Sequence, residues 1–518
     1  MTSMQNHKKR RLPLCNRIGG CDNALLDQKE VVPLRDDNAM VAASGFREYD
    51  ARWLFGTDIN LAGLTALGIG IGTLLHDAGG GPQIVTGHDY RSYSAAVKAA
   101  LITGLVASGC AVHDIGLALS PMAYFAQFDL DIQAVAMVTA SHNENGWTGV
   151  KIGLARPLTL GPAEMSRLRD VVLKGEGRER AGGSVNYVEG MARRYMDDLL
   201  YSGKLSRRLK VVVACGNGTA GLFAPEVLEG IGCHVVRLDC DLDWSFPRYN
   251  PNPEDMRMLR AMSEAVSDCG ADIAFGFDGD GDRCGVVGDD GHEIFADKMG
   301  VLLARDMSEL HPGARFVADV KSTSLFATDP VLKAQGAVTE YWKTGHSHMK
   351  RRTQETGALA GFEKSGHYFF RQPFGRGYDD GLLAAIAICR LLDRHPAMSI
   401  SGLTRTLPRT WMTPTMSPRC ADSTKYGVVE RITAHFAEQM AKGRHLAGSA
   451  ITGLLTVNGV RIVLEDGSWG LIRASSNKPE LVVVCESPVS EARMRAVFHE
   501  LEQHLRSYLE VGDFNQKI

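Results

Sequence analysis

The chain has 518 residues, of which 44% are hydrophobic and 23% charged, and its formal net charge at pH 7 is −3. This length predicts about three to four domains, and the composition is that of an ordinary soluble globular protein. The near-neutral balance excludes a general attraction to nucleic acid or to anionic membranes, so any anion-binding site must be local.

The cysteines and the apolar stretches indicate the cellular compartment. The eleven cysteines are scattered without a CxxC pair, which argues against a disulfide framework or a zinc site and favours a reducing cytoplasm. The basic run "HKKRR" precedes "LPLCNRIGG" rather than a continuous apolar segment, so no secretory signal is expected. The stretch "LAGLTALGIGIGTLL" is too short and too rich in glycine for a membrane span, and it predicts a buried helix.

The predicted elements follow an N-terminal extension, residues 1–40, to which the sequence assigns no purpose. Strand-like runs such as "PQIVTGHD" and "QAVAMV" then alternate with helical runs such as "AAVKAALITGLVASG", which is typical of a sheet flanked by helices. The same alternation of strand-like and helical runs begins again at "LKVVVACGNG" and once more at "ARFVADVKST". We therefore predict three similar α/β domains with mixed sheets, at 41–187, 188–295 and 296–408.

The sequence pattern changes in residues 409–518, and the new pattern predicts a C-terminal α+β domain. Apolar runs separated by Asn458-Gly459 and by Asp466-Gly467 are typical of antiparallel strands joined by hairpin turns. An amphipathic helix follows, with Ser490 as its expected N-cap. Four domains arranged around a central cleft would form a natural ligand site there.

Ser141 lies just past the end of the predicted buried strand "QAVAMV", in the stretch "VTASHNENGWTG". A continuous apolar run predicts a strand covered on both faces, and open α/β sheets place their chemistry at the carboxyl ends of such strands. An isolated Ser-His-Asn more often only closes a turn, so the rest of the chain has to decide between these interpretations.

Three aspartates alternate with glycines in "FGFDGDGDRCG": Asp278, Asp280 and Asp282. Three oxygen donors after an apolar strand suit a divalent cation such as Mg²⁺. A calcium-binding EF-hand loop does not fit, because Arg283 stands at the place of its glycine and Asp289 at that of its bidentate glutamate. The segment therefore predicts a metal site.

The segment "RASSNKPE" lies between two predicted strands of the last domain. Arg473 offers a planar fork of donors, and Ser475, Ser476 and Asn477 add neutral donors, which together suit a phosphate. An ordinary polar hairpin turn is an equally valid interpretation of this segment alone.

Two further segments carry polar side chains that suit a sugar. In "GFEKSGHYFF", Glu363, Ser365 and His367 occupy alternating positions, which an extended loop would bring to one side to bind hydroxyl groups. In "WKTGHSHMK", His346 and His348 are acid–base candidates, although an isolated histidine is more often structural.

These stretches, in this order, resemble the α-D-phosphohexomutase family, and most closely its bacterial phosphomannomutase/phosphoglucomutase members. The resemblance extends from about Phe46 to the C-terminus and includes "FREYDARWLFGTD", "TASHN", "GFDGDGDR", "KTGHSHMK", "EKSGH" and "RASSNKP". It implies the reversible interconversion of hexose 1-phosphate and hexose 6-phosphate, with mannose preferred and glucose accepted. It also implies a phosphoserine enzyme and a hexose 1,6-bisphosphate that acts as intermediate and activator.

The resemblance further implies a role for each matching residue, so that the four domains carry phosphoserine, metal, sugar and phosphate sites in turn. One Mg²⁺ would be held by Ser141, Asp278, Asp280 and Asp282. The catalytic residues would be Ser141, Arg52, Lys151, Arg283, His346 and His367. The substrate-binding residues would be Tyr49, Lys321, Glu363, Ser365, Arg473, Ser475, Ser476 and Asn477.

The chain departs from the family pattern near several of these residues. Glu144 replaces a proline, and its charge would repel a phosphoserine unless the side chain points away. Trp147-Thr148 replaces Tyr-Asn, Phe362 replaces a glycine, and Asn477-Lys478 replaces Thr-Glu or Thr-Thr, where Lys478 would add positive charge.

These departures leave alternatives open. The chain could be a non-catalytic sugar-phosphate-binding homologue, or a metal-dependent sugar phosphatase, which would not need a distal phosphate anchor. A preference for an N-acetylated hexosamine phosphate is less favoured. The expected partners are small hexose phosphates, without nucleic acid or membrane, for a cytoplasmic protein that is a monomer or a weak dimer.

Overall fold

The structure is a computed structural model that describes residues 38–79 and 81–517. The predicted N-terminal extension, 1–40, lies outside the described residues except for its last three positions. Residues Ala39–Ile518 form one structural unit, and its described part contains four sheets, each built from strands that are consecutive in the chain. We number the domains 1 to 4 by these sheets. The predicted fold class, three α/β domains with mixed sheets followed by an α+β domain, is confirmed.

Domain 1 has six strands in the order β1-β5-β4-β2-β3-β6, with β2, β3, β4 and β6 parallel and β1 and β5 antiparallel to their neighbours. The strands are β1 (Ala51–Leu54), β2 (Gln83–His88), β3 (Ala111–Leu117), β4 (Ala134–Val138), β5 (Trp147–Gly153) and β6 (Ser184–Tyr187). The helices are α1 (Leu61–Ala78), α2 (Ser94–Ala107), α3 (Ser120–Asp129) and α4 (Pro162–Leu173).

The glycine-rich helix α1 is buried, as its sequence predicts. Glycines at the crossing let α1 and α2 approach closely: a Cβ on Gly104 would lie 2.0 Å from Thr65 O, and one on Gly68 would lie 2.3 Å from Leu101 O. Among the described residues, α1 alone is long and apolar enough to cross a membrane, but 56% of it is buried inside the fold. It is therefore the core helix of domain 1.

Domain 2 has a five-stranded sheet in the order β11-β10-β9-β7-β8, with β8, β7 and β9 parallel. Its strands are β7 (Lys210–Ala214), β8 (His234–Leu238), β9 (Ile273–Phe277), β10 (Cys284–Gly288) and β11 (Glu293–Ile294). Its helices are α5 (Met191–Leu200), α6 (Ala224–Gly230) and α7 (Met256–Cys269).

Domain 3 has a four-stranded sheet in the order β13-β12-β14-β15, in which only the β14–β15 pair is antiparallel. Its strands are β12 (Arg315–Asp319), β13 (Val338–Trp342), β14 (Ala360–Phe362) and β15 (Tyr368–Phe370). Its helices are α8 (Ala296–Leu310), α9 (Leu325–Thr328), α10 (Pro330–Ala334), α11 (His346–Thr356), α12 (Gly381–Arg394) and α13 (Ile400–Thr404). One continuous apolar core runs through domains 1, 2 and 3.

Domain 4 has six antiparallel strands in the order β16-β21-β20-β19-β18-β17 and its own apolar core. Its strands are β16 (Trp411–Met412), β17 (His445–Leu446), β18 (Ser449–Leu455), β19 (Val460–Leu464), β20 (Trp469–Ala474) and β21 (Leu481–Ser487). Its helices are α14 (Lys425–Ala441) and α15 (Glu491–Leu505). Ser490 caps α15 by accepting from Arg493 N, and both predicted hairpin turns are present.

Replacing Gly104 by alanine tests the close α1–α2 crossing. The added methyl group would overlap the backbone of α1, so we expect Gly104→Ala to lower the free energy of unfolding by about 1–3 kcal/mol. Gly427 is the matched control, since the nearest atom to its Cβ is the mobile end of Arg431 at 3.9 Å. Gly427→Ala should stabilise its helix by about 0.5–1 kcal/mol. Thermal melts of both variants measure the difference, and equal melting temperatures would contradict the close crossing.

Candidate functional site

Ser141 lies at the carboxyl end of β4 with its backbone in the left-handed region, at φ 49°. Few residues other than glycine adopt this conformation, which stores strain at functional sites. Ser141 N donates to Thr139 Oγ1 at 2.8 Å, and Ser141 Oγ donates to Asp278 Oδ2 at 2.7 Å. The turn thus presents the hydroxyl directly to the predicted metal site of domain 2.

Arg91 holds the loop that carries Ser141, a role that sequence reasoning missed. Its guanidinium donates to three backbone carbonyls of the loop: Ser141 O at 3.0 Å, Asn143 O at 2.6 Å and Glu144 O at 3.1 Å. Asp89 pairs with Arg91 at 3.3 Å and also accepts from Ala140 N. The signal was available in "GHDYR", because β2 ends beside β4 in the parallel sheet.

Glu144 and Phe362, which depart from the family pattern near Ser141 and Glu363, do not obstruct the cleft. The Glu144 side chain is exposed and lies close enough to Arg257 of domain 2 to raise the pKa of that guanidinium, after the larger effect of Asp255. It does not line the cleft. Phe362 is fully buried and stacks on Phe326 in the apolar core.

The three aspartates of the β9–β10 loop are fully buried, and one oxygen of each lies within 4.8 Å of the others. Burial, followed by the charges of Asp280 and Asp282, raises the pKa of Asp278 to about 8. Asp280 Oδ1 has no hydrogen-bond partner among the described residues, and Asp282 Oδ1 lies 3.4 Å from His367 Nε2. A cluster of buried carboxylates with an unpartnered oxygen is suited to a divalent cation, so this cluster could hold one.

Positive side chains from domains 1 and 2 surround Ser141 and the aspartates. Lys151 donates to Asp280 at 2.7 Å and to Asp282, and despite burial these carboxylates raise the pKa of Lys151 well above its usual value. Arg52 pairs with Asp50 at 2.8 Å and donates to Asn143. The Arg283 guanidinium lies 3.8 Å from Asp278. The site therefore holds cations where a phosphate beside Ser141 would need them.

Glu363, Ser365 and His367 come together on a tight turn, so the prediction of an extended loop was wrong. The turn is closed by a hydrogen bond from Glu363 N to His367 O at 3.0 Å and by Gly366 at φ 94°. Ser365 Oγ lies 3.1 Å from Glu363 Oε2 and 3.0 Å from His367 Nδ1. Despite burial, Asp282 and Glu363 raise the pKa of His367 to about 9, and His367 lowers that of Glu363 to about 2.

The two predicted histidines of domain 3 occupy different surroundings. His346 begins α11, packs edge-on against Tyr49 at 5.0 Å, and has a pKa well below its usual value because of burial and the charge of Lys350. His348 pairs with Glu48 at 2.9 Å and does not line the cleft. His346 therefore remains a candidate for proton transfer, whereas His348 is engaged outside the cavity.

Arg473 projects from the end of β20 and is almost fully buried, with 4% of its surface exposed. Its Nε donates to Asn458 Oδ1 at 2.7 Å, and one terminal nitrogen donates to Ser476 Oγ at 3.1 Å. Ser475 N donates to Glu480 O at 3.0 Å, which closes the hairpin loop. The loop holds a preorganised set of donors at the side of the cleft formed by domain 4.

A cavity of about 500 Å³ joins these groups. It is lined by residues of all four domains, including Tyr49, Arg52, Ser141, Lys151, Arg283, Lys321, His346, Glu363, Ser365, His367, Arg473, Ser475, Ser476 and Asn477. The three aspartates lie behind its wall, in contact with Ser141 and Lys151. Glu254, which sequence reasoning missed, also lines it and pairs with Arg283 at 3.4 Å. The cleft therefore brings hydroxyl, carboxylate and cationic side chains of all four domains to one space.

Sequence comparison identifies the family. The chain matches the phosphoglucomutase/phosphomannomutase alpha/beta/alpha domains I, II and III at residues 43–179, 186–291 and 295–410, and the C-terminal domain of the same family at 419–504. It therefore belongs to the phosphoglucomutase/phosphomannomutase family.

Individual relatives agree with this assignment. The chain is 34% identical to the phosphomannomutase/phosphoglucomutase of Pseudomonas syringae pv. tomato over 88% of this chain and 94% of that protein. It is 31% identical to a phosphoglucomutase of Neisseria meningitidis serogroup A, over 88% and 95%. A crystal structure of a phosphoglucomutase/phosphomannomutase family protein from Burkholderia thailandensis superimposes with a TM-score of 0.81 at 28% identity, covering 92% of this chain and all of that one.

Cation binding to the aspartate cluster can be measured without any substrate. Adding Mg²⁺ or Mn²⁺ should raise the melting temperature, because a cation relieves the repulsion between three buried carboxylates. Asp280→Asn should weaken cation affinity by about tenfold or more, since it removes one anionic ligand. Asp241→Asn, an exposed change in the same domain, is the control. A cation-induced shift that is the same in all three proteins would place the cation elsewhere.

Proposed function

We propose that the protein interconverts hexose 1-phosphate and hexose 6-phosphate through a phosphorylated Ser141 and a hexose 1,6-bisphosphate intermediate. One observation carries this proposal: the hydroxyl of Ser141 and the donor set around Arg473 face the same cavity from domains 1 and 4. A mutase needs both, because one phosphate must lie at the reacting serine while the other is held at a distance. The residues between them, on domain 3, suit the sugar hydroxyls.

The proposed reaction consists of two phosphoryl transfers. In the first, a sugar hydroxyl oxygen attacks the phosphorus of phosphoserine, the bond from phosphorus to Ser141 Oγ breaks, and the hydroxyl proton passes to a base while Oγ gains a proton. The bisphosphate then turns over in the cleft. In the second transfer, Ser141 Oγ loses its proton to a base and attacks the other phosphate. The bond from that phosphorus to the sugar oxygen breaks, and the sugar oxygen takes up a proton. No phosphate is released to water.

The charges around Ser141 suit this transfer. A phosphoserine adds a charge of about −1.5 to −2 beside three carboxylates, and Arg52, Lys151 and Arg283 supply compensating positive charge nearby. Neutral His346 is suited to accept a proton, whereas protonated His367 would donate hydrogen bonds. Because catalysis of phosphoryl transfer depends on positioning and charge, these fixed groups are the main contribution of the protein.

We infer that Mg²⁺ is the cation of the aspartate cluster and that a hexose 1,6-bisphosphate activates the enzyme by phosphorylating Ser141. Asp278, Asp280 and Asp282 would hold the ion together with an oxygen on Ser141. When bound, Mg²⁺ supplies positive charge that polarises a transferring phosphoryl group.

Mannose is the proposed preferred sugar, with glucose also accepted. The two hexoses differ only in the configuration at C2, and the Glu363–Ser365 pair can bind neighbouring hydroxyls in either epimer. The names of the relatives support both sugars, since the Pseudomonas protein is a phosphomannomutase/phosphoglucomutase and the Neisseria protein a phosphoglucomutase.

A ³¹P NMR time course tests the activity and the nucleophile together. With Mg²⁺, a trace of hexose 1,6-bisphosphate and mannose 1-phosphate or glucose 1-phosphate, the 6-phosphate should appear, faster for mannose. Ser141→Ala should lower turnover by at least about a thousandfold while leaving the fold unchanged, because no acceptor for the phosphoryl group remains. Ser166→Ala, an exposed serine of the same domain, should turn over normally. Unchanged turnover in Ser141→Ala would refute the phosphoserine.

The donor set of Arg473 separates a mutase from a phosphatase, the main competing activity. Arg473→Met should lower kcat/KM for the mutase by about a hundredfold or more, because a buried phosphate would lose its charged partner. Arg495→Met, an exposed arginine on α15, is the matched control. Release of inorganic phosphate that persists in Arg473→Met would support the phosphatase instead, and binding of sugar phosphates without turnover in the wild type would support a non-catalytic homologue.

A further inference from the structure

Lys321 lies on a loop of domain 3 that domain 4 holds in place. The loop, residues 320–324, follows β12, and Lys321 lines the cleft with 7% of its surface exposed. Within domain 3, the ammonium of Lys321 lies 3.8 Å from Asp319, and Ser322 Oγ donates to the same carboxylate at 2.5 Å. The remaining contacts that fix the loop include two charged side chains of domain 4, Arg461 and Glu486.

Arg461 binds the backbone on both sides of Lys321. One terminal nitrogen of its guanidinium donates to Val320 O at 3.1 Å and to Ser322 O at 2.8 Å. The guanidinium is packed between two aromatic rings, 3.6 Å from the centre of Trp469 and 4.5 Å from that of Tyr341. Only 3% of Arg461 is exposed. A buried arginine placed in this way fixes the position of the two carbonyls and therefore of Lys321.

Glu486 binds the next residues of the same loop. Its carboxylate accepts from Thr323 Oγ1 at 2.6 Å, from Ser324 N at 2.8 Å and from Ser324 Oγ at 2.9 Å. It also accepts from Trp469 Nε1 at 2.8 Å, so the ring that packs on Arg461 is itself bound to Glu486. Glu486 is fully buried, and its hydrogen bonds lower its pKa although burial opposes ionisation.

The same part of domain 4 carries the phosphate-binding donors. Arg461 lies on β19, which pairs with β20, and Arg473 lies at the end of β20. Glu486 lies on β21, the other neighbour of β20. Lys321 and Arg473 are therefore joined through three adjacent strands and the loop that Arg461 and Glu486 bind. Neither Arg461 nor Glu486 lines the cleft itself.

We propose that Arg461 and Glu486 are positioning residues that hold Lys321 at a fixed place relative to Arg473. A ligand that binds in two opposite orientations must meet Lys321 and Arg473 at the same distance from each other in both. The network of Arg461 and Glu486 keeps that distance constant across the boundary of domains 3 and 4. Any movement of domain 4 then carries the Lys321 loop with it. The inference rests on the proposed function, because that function makes Lys321 and Arg473 ligand-binding residues.

The first test needs no ligand. Hydrogen–deuterium exchange of the full-length protein should show the amides of residues 320–324 exchanging about tenfold faster or more in Arg461→Lys and Glu486→Gln. Lysine keeps the charge but lacks the planar guanidinium that packs against Trp469 and Tyr341, so its ammonium is not held in place beside the two carbonyls. Arg495→Lys, on the exposed face of α15, should exchange as the wild type does. Unchanged exchange at 320–324 in both variants would overturn the proposal.

The second test separates positioning from general destabilisation by a double-mutant cycle. Arg461→Lys should raise KM for hexose 1-phosphate by about tenfold while kcat changes by less than about threefold. In a Lys321→Met background, the same change should raise KM by less than about twofold, because Arg461 acts through Lys321. If the increases in KM caused by Arg461→Lys and Lys321→Met instead multiply in the double variant, the proposal is overturned. If the wild type does not interconvert hexose phosphates, the proposed function fails, and the exchange measurement still decides whether this pair holds the loop.

Discussion

Three carboxylates share one buried point at the end of β9, and the arrangement of the cleft follows from their charge. Asp278, Asp280 and Asp282 come from one loop, and besides the neighbouring Arg283 the groups that pair with them come from other domains. Lys151 and Ser120 of domain 1 bind Asp280, and His367 of domain 3 lies 3.4 Å from Asp282. A buried charge without partners is strongly unfavourable, so domains 1 and 3 are held in place against domain 2 by the same interactions that complete the site.

The cleft also depends on where strands end. Ser141 follows β4, the aspartates follow β9, Lys321 follows β12 and Glu363 follows β14. Because each α/β domain presents the carboxyl ends of its parallel strands to the same central space, short loops can deliver polar side chains there without exposing the apolar core. Domain 4 contributes differently, through a hairpin loop between the antiparallel strands β20 and β21.

Much of this arrangement could be predicted from sequence because its signals are local. The metal site is indicated by the glycines between its three aspartates. The strand before Ser141 is indicated by its uninterrupted apolar run. Each of these signals lies within one short segment. Arg461 was not found, because its partners are backbone carbonyls of a loop in another domain and a lone arginine carries no local sign of this. Arg91 could have been found from the position of "GHDYR" at the end of β2, beside β4. After β12 the chain forms two short helices, α9 and α10, because Pro330 interrupts the helix and Asp329 caps the second part. The turn at Glu363 was misjudged because alternation alone does not reveal a backbone hydrogen bond.

The left-handed backbone at Ser141 restricts which side chain can serve there. A β-branched residue is a strong outlier at positive φ, because its second branch crowds the neighbouring carbonyl. Threonine, although it carries the same hydroxyl chemistry, would have to unwind the turn that Thr139 and Arg91 hold closed. The choice of serine over threonine at this position is therefore dictated by the main chain and not by the reactivity of the alcohol.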